Sequence, residues 1–151
     1  MRNIILIGFM GTGKTAVARM LAKHLGYHFV DTDERIEYAT GLKMVDVWKK
    51  YGEKRFRSEE ELIFKKLQQN ENQVIAVGGG IDLHPKLFHY FGEDTMIVLL
   101  ESTPEIIYQR LSRKNTRCML GKKVTVDTVK KALAERADDY HKHADLGNNL
   151  I

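Results

Sequence analysis

Three unbroken apolar runs punctuate the chain: IILI (residues 4–7), VIAV (74–77) and MIVLL (96–100). None alternates with polar residues, so each predicts a strand buried on both faces. HFV (28–30) predicts a fourth, shorter strand. Between these runs the pattern becomes helical. In KTAVARMLAKHL (14–25) the residues Val17, Met20, Leu21 and Leu25 fall on one face, and Gly26 is placed to end the helix. A charged helix is predicted over 56–69, carrying Phe56, Ile63, Phe64 and Leu67, with Glu61 and Lys65 at a favourable spacing of four. Pro104, behind Ser102 and Thr103, predicts the first turn of another helix, and a last one is expected from about Val126 to about His141. Strands alternating with helices imply a parallel sheet covered on both faces. In such sheets ligands bind beyond the carboxyl ends of the strands.

The residues that follow the strands carry the candidate chemistry. GFMGTGKT (8–15) meets the spacing Gly-x-x-x-x-Gly-Lys-Thr at Gly8, Gly13, Lys14 and Thr15. The glycines let successive backbone N–H groups turn toward phosphate oxygens, and the following helix adds the positive end of its dipole. Lys14 is expected to reach the β- and γ-phosphates of a nucleoside triphosphate, and the Thr15 hydroxyl to bind Mg²⁺. Nucleotide contacts are expected from Gly11, Thr12, Gly13, Lys14, Thr15 and Ala16. The motif identifies a phosphoryl donor and leaves the acceptor open.

FVDTDE (29–34) sets Asp31 and Asp33 on one side of the chain if it stays extended. The pair suits one carboxylate near magnesium and another at a nucleophilic hydroxyl; equally, an aspartate before ERIEYA is an ordinary helix N-cap. In FRSEE (56–60), Arg57 and Glu60 are close enough to pair. A guanidinium fixed in this way is a carboxylate receptor, the alternative being a solvated surface pair. Gly78, Gly79 and Gly80 follow the VIAV strand, an entropically costly run that makes sense where a ligand approaches the backbone. The basic stretch RLSRKNTRCMLGKK (110–123) is either a solvated loop or a segment that closes over phosphates, with Arg110 or Arg117 stabilising charge. Arg136 falls on the apolar stripe of Val129, Leu133 and Tyr140. A buried arginine needs an anion, here an internal acid such as Asp139 or the carboxylate of a ligand, unless its head snorkels to water.

Composition narrows the class. The 151 residues, 43% hydrophobic and 29% charged, are expected to form one globular domain, 1–151. A net charge of +4 suits anionic small ligands, and no basic stripe interleaved with aromatics points to nucleic acid. The single cysteine, Cys118, excludes an internal disulfide and fits a reducing compartment. With no apolar run long enough for a membrane span and no leader pattern, the chain is expected to be cytoplasmic. The six histidines have no zinc spacing, and Trp48 is expected in the core or on a pocket wall.

Together GFMGTGKT, DTD, GEKRFRSEEE, GGG, the arginine of TRCML and ERADDYHKHAD, in this order and spacing, resemble the shikimate kinase family from residue 2 to about 145. The resemblance implies a three-layer α/β/α P-loop kinase fold. Its parts would be a central parallel sheet of about five strands, the last truncated, substrate-binding helices over about 32–60, and a mobile lid over about 112–123. It implies a monomer that transfers the γ-phosphate of ATP to the 3-hydroxyl of shikimate with Mg²⁺, without nucleic-acid or membrane partners. Lys14, Asp33 and Arg117 would be catalytic, with Asp33 binding ring hydroxyls and taking the proton of the attacking one. Arg57 and Arg136 would hold the shikimate carboxylate, and Gly78, Gly79 and Gly80 would bring backbone N–H groups to the substrate. Asp31 would help fix Mg²⁺ through water beside Thr15. Arg117 would close from the lid onto the phosphates, and Arg110 would lie against the adenine. Trp48 and Phe56 would wall the acceptor pocket. A related hydroxy-acid kinase, such as a gluconate kinase, and a non-catalytic nucleotide- or shikimate-binding relative are the alternatives.

The chain departs from the family pattern in three places. The lid reads RCML where the family has Arg-Pro-Leu-Leu, which predicts a looser lid. Lys142 in YHKHAD stands where the family carries an acid. The sequence reaches Ile151, where family members continue through a last strand, an adenine-covering loop and a final helix, so weak ATP affinity and loose base selectivity are expected.

Overall fold

The computed structural model describes residues 3–78, 84, 86–91, 94–114 and 124–148. Along the chain these form β1 (Asn3–Ile7), α1 (Lys14–Leu25), β2 (His28–Asp31), α2 (Thr32–Thr40), α3 (Met44–Leu67), β3 (Gln73–Ala76), α4 (Leu87–Tyr90), β4 (Thr95–Leu100), α5 (Pro104–Lys114), α6 (Val126–His143) and β5 (Leu146–Asn148). The five strands make one sheet in the order β2-β3-β1-β4-β5, and every adjacent pair is parallel. The chain runs from β1 out to β2, back to β3, and then across β1 to β4. The strand order therefore reverses around β1, which puts a ligand crevice at its carboxyl end.

The apolar runs form strands because both faces are covered. Ile5 and Ile7 of β1 enter one cluster with Ile75 of β3 and with Ile36, Val47, Phe56, Ile63, Phe64 and Leu67 of α2 and α3. Ile4 and Leu6 point the other way, to Val74, Ala76 and to Ala18 and Ala22 of α1. The second face corrects one expectation. Met20 and Leu25 are exposed, at 61% and 46%, while α1 buries Lys14, Ala18 and Ala22. Val17 and Leu21 of the expected face do pack against the sheet, and the small residues Ala18 and Ala22 beside them, at a spacing of four, let the helix lie close to it. Gly26 ends α1 in a left-handed conformation, as its position predicts. A third cluster joins Phe9 to Ile107 and Leu111 of α5 and to Val129 and Ala132 of α6.

Helix α3 starts twelve residues earlier than the pattern predicts and is broken at Gly52, which has φ 81° and ψ −178°. In a straight helix Trp48 and Phe56 would be about 12 Å apart along the axis. The break instead brings their rings edge to face at 5.7 Å. Only glycine adopts these dihedrals without strain, and a Cβ at this position would meet nothing within 4 Å, so the cost of a side chain is conformational. Gly52→Ala is expected to destabilise by about 1–3 kcal/mol in urea unfolding. A loss under about 0.5 kcal/mol would mean the break does not depend on glycine.

Strand β5 has no apolar run of its own. It exists because its register against β4 pairs Leu146 with Val98 and Gly147 with Leu99. Asp145 prepares that pairing: its backbone N–H donates to the Ile97 carbonyl, and its Oδ2 accepts the Ile97 N–H at 2.9 Å. Among the described residues no helix is long and apolar enough to cross a membrane.

Candidate active site

Strand β1 is buried along its whole length and delivers the glycine loop to the middle of the sheet. A Cβ on Gly8 would run into the Leu100 carbonyl of β4, which explains a glycine at the loop's start. Lys14 opens α1 with its side chain buried, and its Nζ donates to the carbonyls of Gly8 (2.7 Å) and Phe9 (3.0 Å). Burial lowers its pKa to about 8, against the pull of Asp33 and Asp31. Thr12 also turns inward, donating to the Phe9 carbonyl. Arg110, on α5, donates to the Gly11 carbonyl at 2.9 Å, so it stands on the glycine loop.

The two aspartates do not lie on an extended chain. Asp31 ends β2 and caps α2, its Oδ1 accepting the N–H groups of Asp33 (2.9 Å) and Glu34 (3.3 Å). This cap turns the chain into a helix at Thr32, so strand alternation does not relate Asp33 to Asp31. Capping and the metal reading are compatible, because the second oxygen of Asp31 accepts from the Thr15 hydroxyl at 2.9 Å. A hydroxyl and a carboxylate are hard oxygen donors of the kind Mg²⁺ prefers, so the residues fit that ion.

Asp33 is the unusual group. Its Oδ1 is buried and has no hydrogen-bond partner among the described residues. Burial raises its pKa to about 7, Asp31 adds to the rise, and Lys14 opposes it. A carboxylate held in this way is matched to proton transfer near neutral pH. Gly78 makes room for it: a Cβ there would overlap Oδ1 and lie 2.8 Å from Cγ. The Gly78 N–H is committed to the Thr32 hydroxyl at 3.1 Å, so the glycine at this position serves the seating of Asp33 rather than offering an amide to a ligand. Gly79, Gly80, Arg117 and Cys118 lie outside the described residues.

Arg57 is not a solvated surface residue. Its side chain is 18% exposed, and its Nη1 lies 3.5 Å from Oε1 of Glu60, whose side chain is 4% exposed. Glu53 brackets it from the other side at 3.8 Å. Burial pushes Glu60 up to about 8, with Arg57 opposing. Arg136 is half-buried on α6 with its guanidinium 5.0 Å over the Phe9 ring, beside the glycine loop. Asp139 pairs with His143. Trp48 is half-buried and Phe56 fully buried, against one another on the helix that carries Arg57.

Two residues of this region carry no sequence signal of their own. Thr32 reads as a helix start, yet it is fully buried and ties β3 to α2. His84 is one histidine among six, and nothing in the sequence marks it as buried, edge to face with Phe64 of α3.

The position of Glu60 has a consequence for stability. Its folded pKa, about 8, lies above the unfolded value near 4.5, so folding favours the protonated carboxyl. The stabilisation is complete below the unfolded pKa and is lost as pH rises through about 8. Glu60→Gln cannot ionise. Its stability relative to the parent protein should grow by a few kcal/mol between about pH 5 and about pH 9 in urea unfolding. A difference that does not change with pH would contradict this.

A shikimate kinase family model matches residues 10–149. The shikimate kinase of Thermodesulfovibrio yellowstonii is 41% identical over 142 residues, covering 94% of this chain and 82% of that protein. That of Pelotomaculum thermopropionicum is 43% identical over 140 residues, covering 93% and 81%. Among solved structures, a shikimate kinase from Acinetobacter baumannii in complex with shikimate superposes with a TM-score of 0.91 at 30% identity, over 100% of this chain and 84% of that one.

Proposed function

The chain belongs to the shikimate kinase family, and from that premise we propose that Asp33 is the base at which its two substrates meet. The activity is ATP-dependent phosphorylation of shikimate, a step of aromatic amino-acid biosynthesis. The observation that carries the assignment is the buried Oδ1 of Asp33, which has no hydrogen-bond partner among the described residues. It is electrostatically coupled to Lys14 on the nucleotide side and to Glu60 on the acceptor side.

In this reading the loop from Gly11 to Ala16 cradles the phosphates, and Lys14 neutralises charge on the transferring group. Thr15 and, through water, Asp31 would hold Mg²⁺, which would supply positive charge to offset that of the phosphates. Arg57, steadied by Glu53 and Glu60, and Arg136, stacked on Phe9, take the acceptor carboxylate. Gly79 and Gly80 offer backbone donors to the acceptor, and Gly78 keeps Asp33 in place beneath it. The 3-hydroxyl oxygen attacks the γ-phosphorus, the bond to the β-phosphate oxygen breaks, and ADP leaves. The hydroxyl proton goes to Asp33 Oδ1. Arg110 lies at the nucleotide end and Arg117, from a lid over about 112–123, closes on the phosphates. In this reading the enzyme works as a monomer in the cytoplasm.

The test is ADP release from ATP and Mg²⁺ by the purified chain, with shikimate, with shikimate amidated at its carboxylate, with gluconate, and with no acceptor. Release that depends on shikimate and is largely lost with the amide is the expected result. Absence of shikimate-dependent release would leave a non-catalytic relative. Preference for gluconate would reassign the acceptor.

A further inference from the structure

His84 plays no part in the chemistry above, yet both of its ring nitrogens are committed. The side chain is buried, edge to face with Phe64 of α3 at 5.5 Å. Nδ1 lies 3.0 Å from the backbone nitrogen of Lys86, whose N–H can only donate. Nδ1 is therefore unprotonated, and the ring proton sits on Nε2, 3.1 Å from the Arg57 carbonyl, which accepts it. A single neutral tautomer satisfies both contacts. The imidazole thus joins the turn leading into α4 to the very residue of α3 whose guanidinium faces the acceptor.

We propose that His84 is a positioning residue for the acceptor carboxylate, a neutral latch that joins the Arg57 turn of α3 to the Lys86 backbone. The inference rests on the reading of Arg57 as a carboxylate ligand. Among the described residues, the charged groups facing the ring are Arg57 and Glu61 of α3 and Lys86 of its own turn. Burial holds the imidazole below its usual range; the hydrogen bond to the Arg57 carbonyl and the charge of Glu61 oppose this, while the charges of Arg57 and Lys86 add to it. A second proton would set an N–H at Nδ1 against the Lys86 N–H and open that contact. The latch therefore holds at neutral pH and releases in acid.

The experiment is steady-state kinetics with shikimate from about pH 5.5 to about pH 8.5 for the parent protein, His84→Ala, His84→Gln and Arg57→Lys. At about pH 8, His84→Ala should raise the shikimate KM roughly tenfold with kcat kept within about twofold, since one or two buried hydrogen bonds are lost. The KM ratio of this variant to the parent should fall toward one in acid, where the parent has released its own latch. Glutamine can place its amide nitrogen where Nε2 stands and cannot titrate. His84→Gln should keep KM within about threefold at about pH 8 and show a shallower acid rise than the parent. An unchanged KM in His84→Ala, a KM ratio flat with pH, or kcat lost with KM kept would each overturn the latch. Should His84→Ala melt before assay, the acid rise of His84→Gln decides alone: a rise as steep as the parent's overturns it. Arg57→Lys separates the two readings. If it raises KM and His84→Ala does not, only the latch fails; if it leaves KM unchanged, the carboxylate assignment fails and the latch with it.

Discussion

Asp33→Asn is expected to lower kcat for shikimate phosphorylation by about 10²–10⁴ while changing the shikimate KM only a few-fold, because it removes a general base without removing volume. The expectation rests on where the carboxylate sits. Its Oδ1 has no partner among the described residues, and burial with the nearby Asp31 raises its pKa to about 7. An amide in the same place can still contact ring hydroxyls, but it takes no proton. Acceptor binding can be followed separately through Trp48, the only tryptophan, which packs against Phe56 one residue from Arg57. The variant should also melt at a higher temperature than the parent above pH 7. Removing a buried carboxylate that resists ionisation relieves the fold while disabling the site. A variant that keeps kcat within about threefold would show that the proton leaves by another route.

Gly78→Ala is the second large effect, and it arises from packing. The methyl group would overlap Asp33 Oδ1 and stand 2.8 Å and 2.9 Å from Cγ and Oδ2. The backbone at 78 has little room to withdraw, since its N–H is held by Thr32 Oγ1 and strand β3 ends two residues earlier. The carboxylate must move instead. We expect a stability loss of about 1–3 kcal/mol from overpacking and a loss in kcat of about 10² from displacement of the base. A double-mutant cycle tests the cause. In an Asp33→Ala background the added methyl should cost almost nothing, so the two substitutions should couple strongly. Additive stability effects would mean that the methyl strikes something other than Asp33.

How far these expectations could be read in advance differs along the chain. The strands after residues 3, 73 and 95 were legible because a strand buried on both faces must be apolar at every position, which leaves an unbroken run. The limits of α1 and the start of α5 were legible from Gly26 and Pro104, whose effects on the backbone are local. The first half of α3 was not, because Gly52 and the lysines around it interrupt the periodicity of a helix that survives by packing Val47 into the core. The face of α1 was half legible: Val17 and Leu21 pack against the sheet as expected, while Met20 and Leu25 stay exposed. Periodicity identifies where apolar residues cluster, but the sheet selected Ala18 and Ala22 because only small residues permit close approach. Strand β5 had no signal, since its three residues are recruited by the open edge of β4.

The phosphate-binding end of the site was determined by sequence alone. Gly8, Gly13, Lys14 and Thr15 act through backbone conformation and a helix terminus, interactions that span a few residues and leave a fixed spacing. The acceptor end was decided by the tertiary structure. Asp33, Arg57, Gly78 and Arg136 come from α2, α3, the chain after β3, and α6. Asp33 could have been a cap and Arg57 a solvated cation; Arg136 could have snorkelled to water. Asp33 becomes a buried carboxylate only because Gly78, forty-five positions away, leaves it room, and Arg57 becomes a fixed fork because Glu60 is buried beside it. Burial and pairing set the charge and direction of such groups, and both depend on neighbours that the fold supplies and no local pattern encodes.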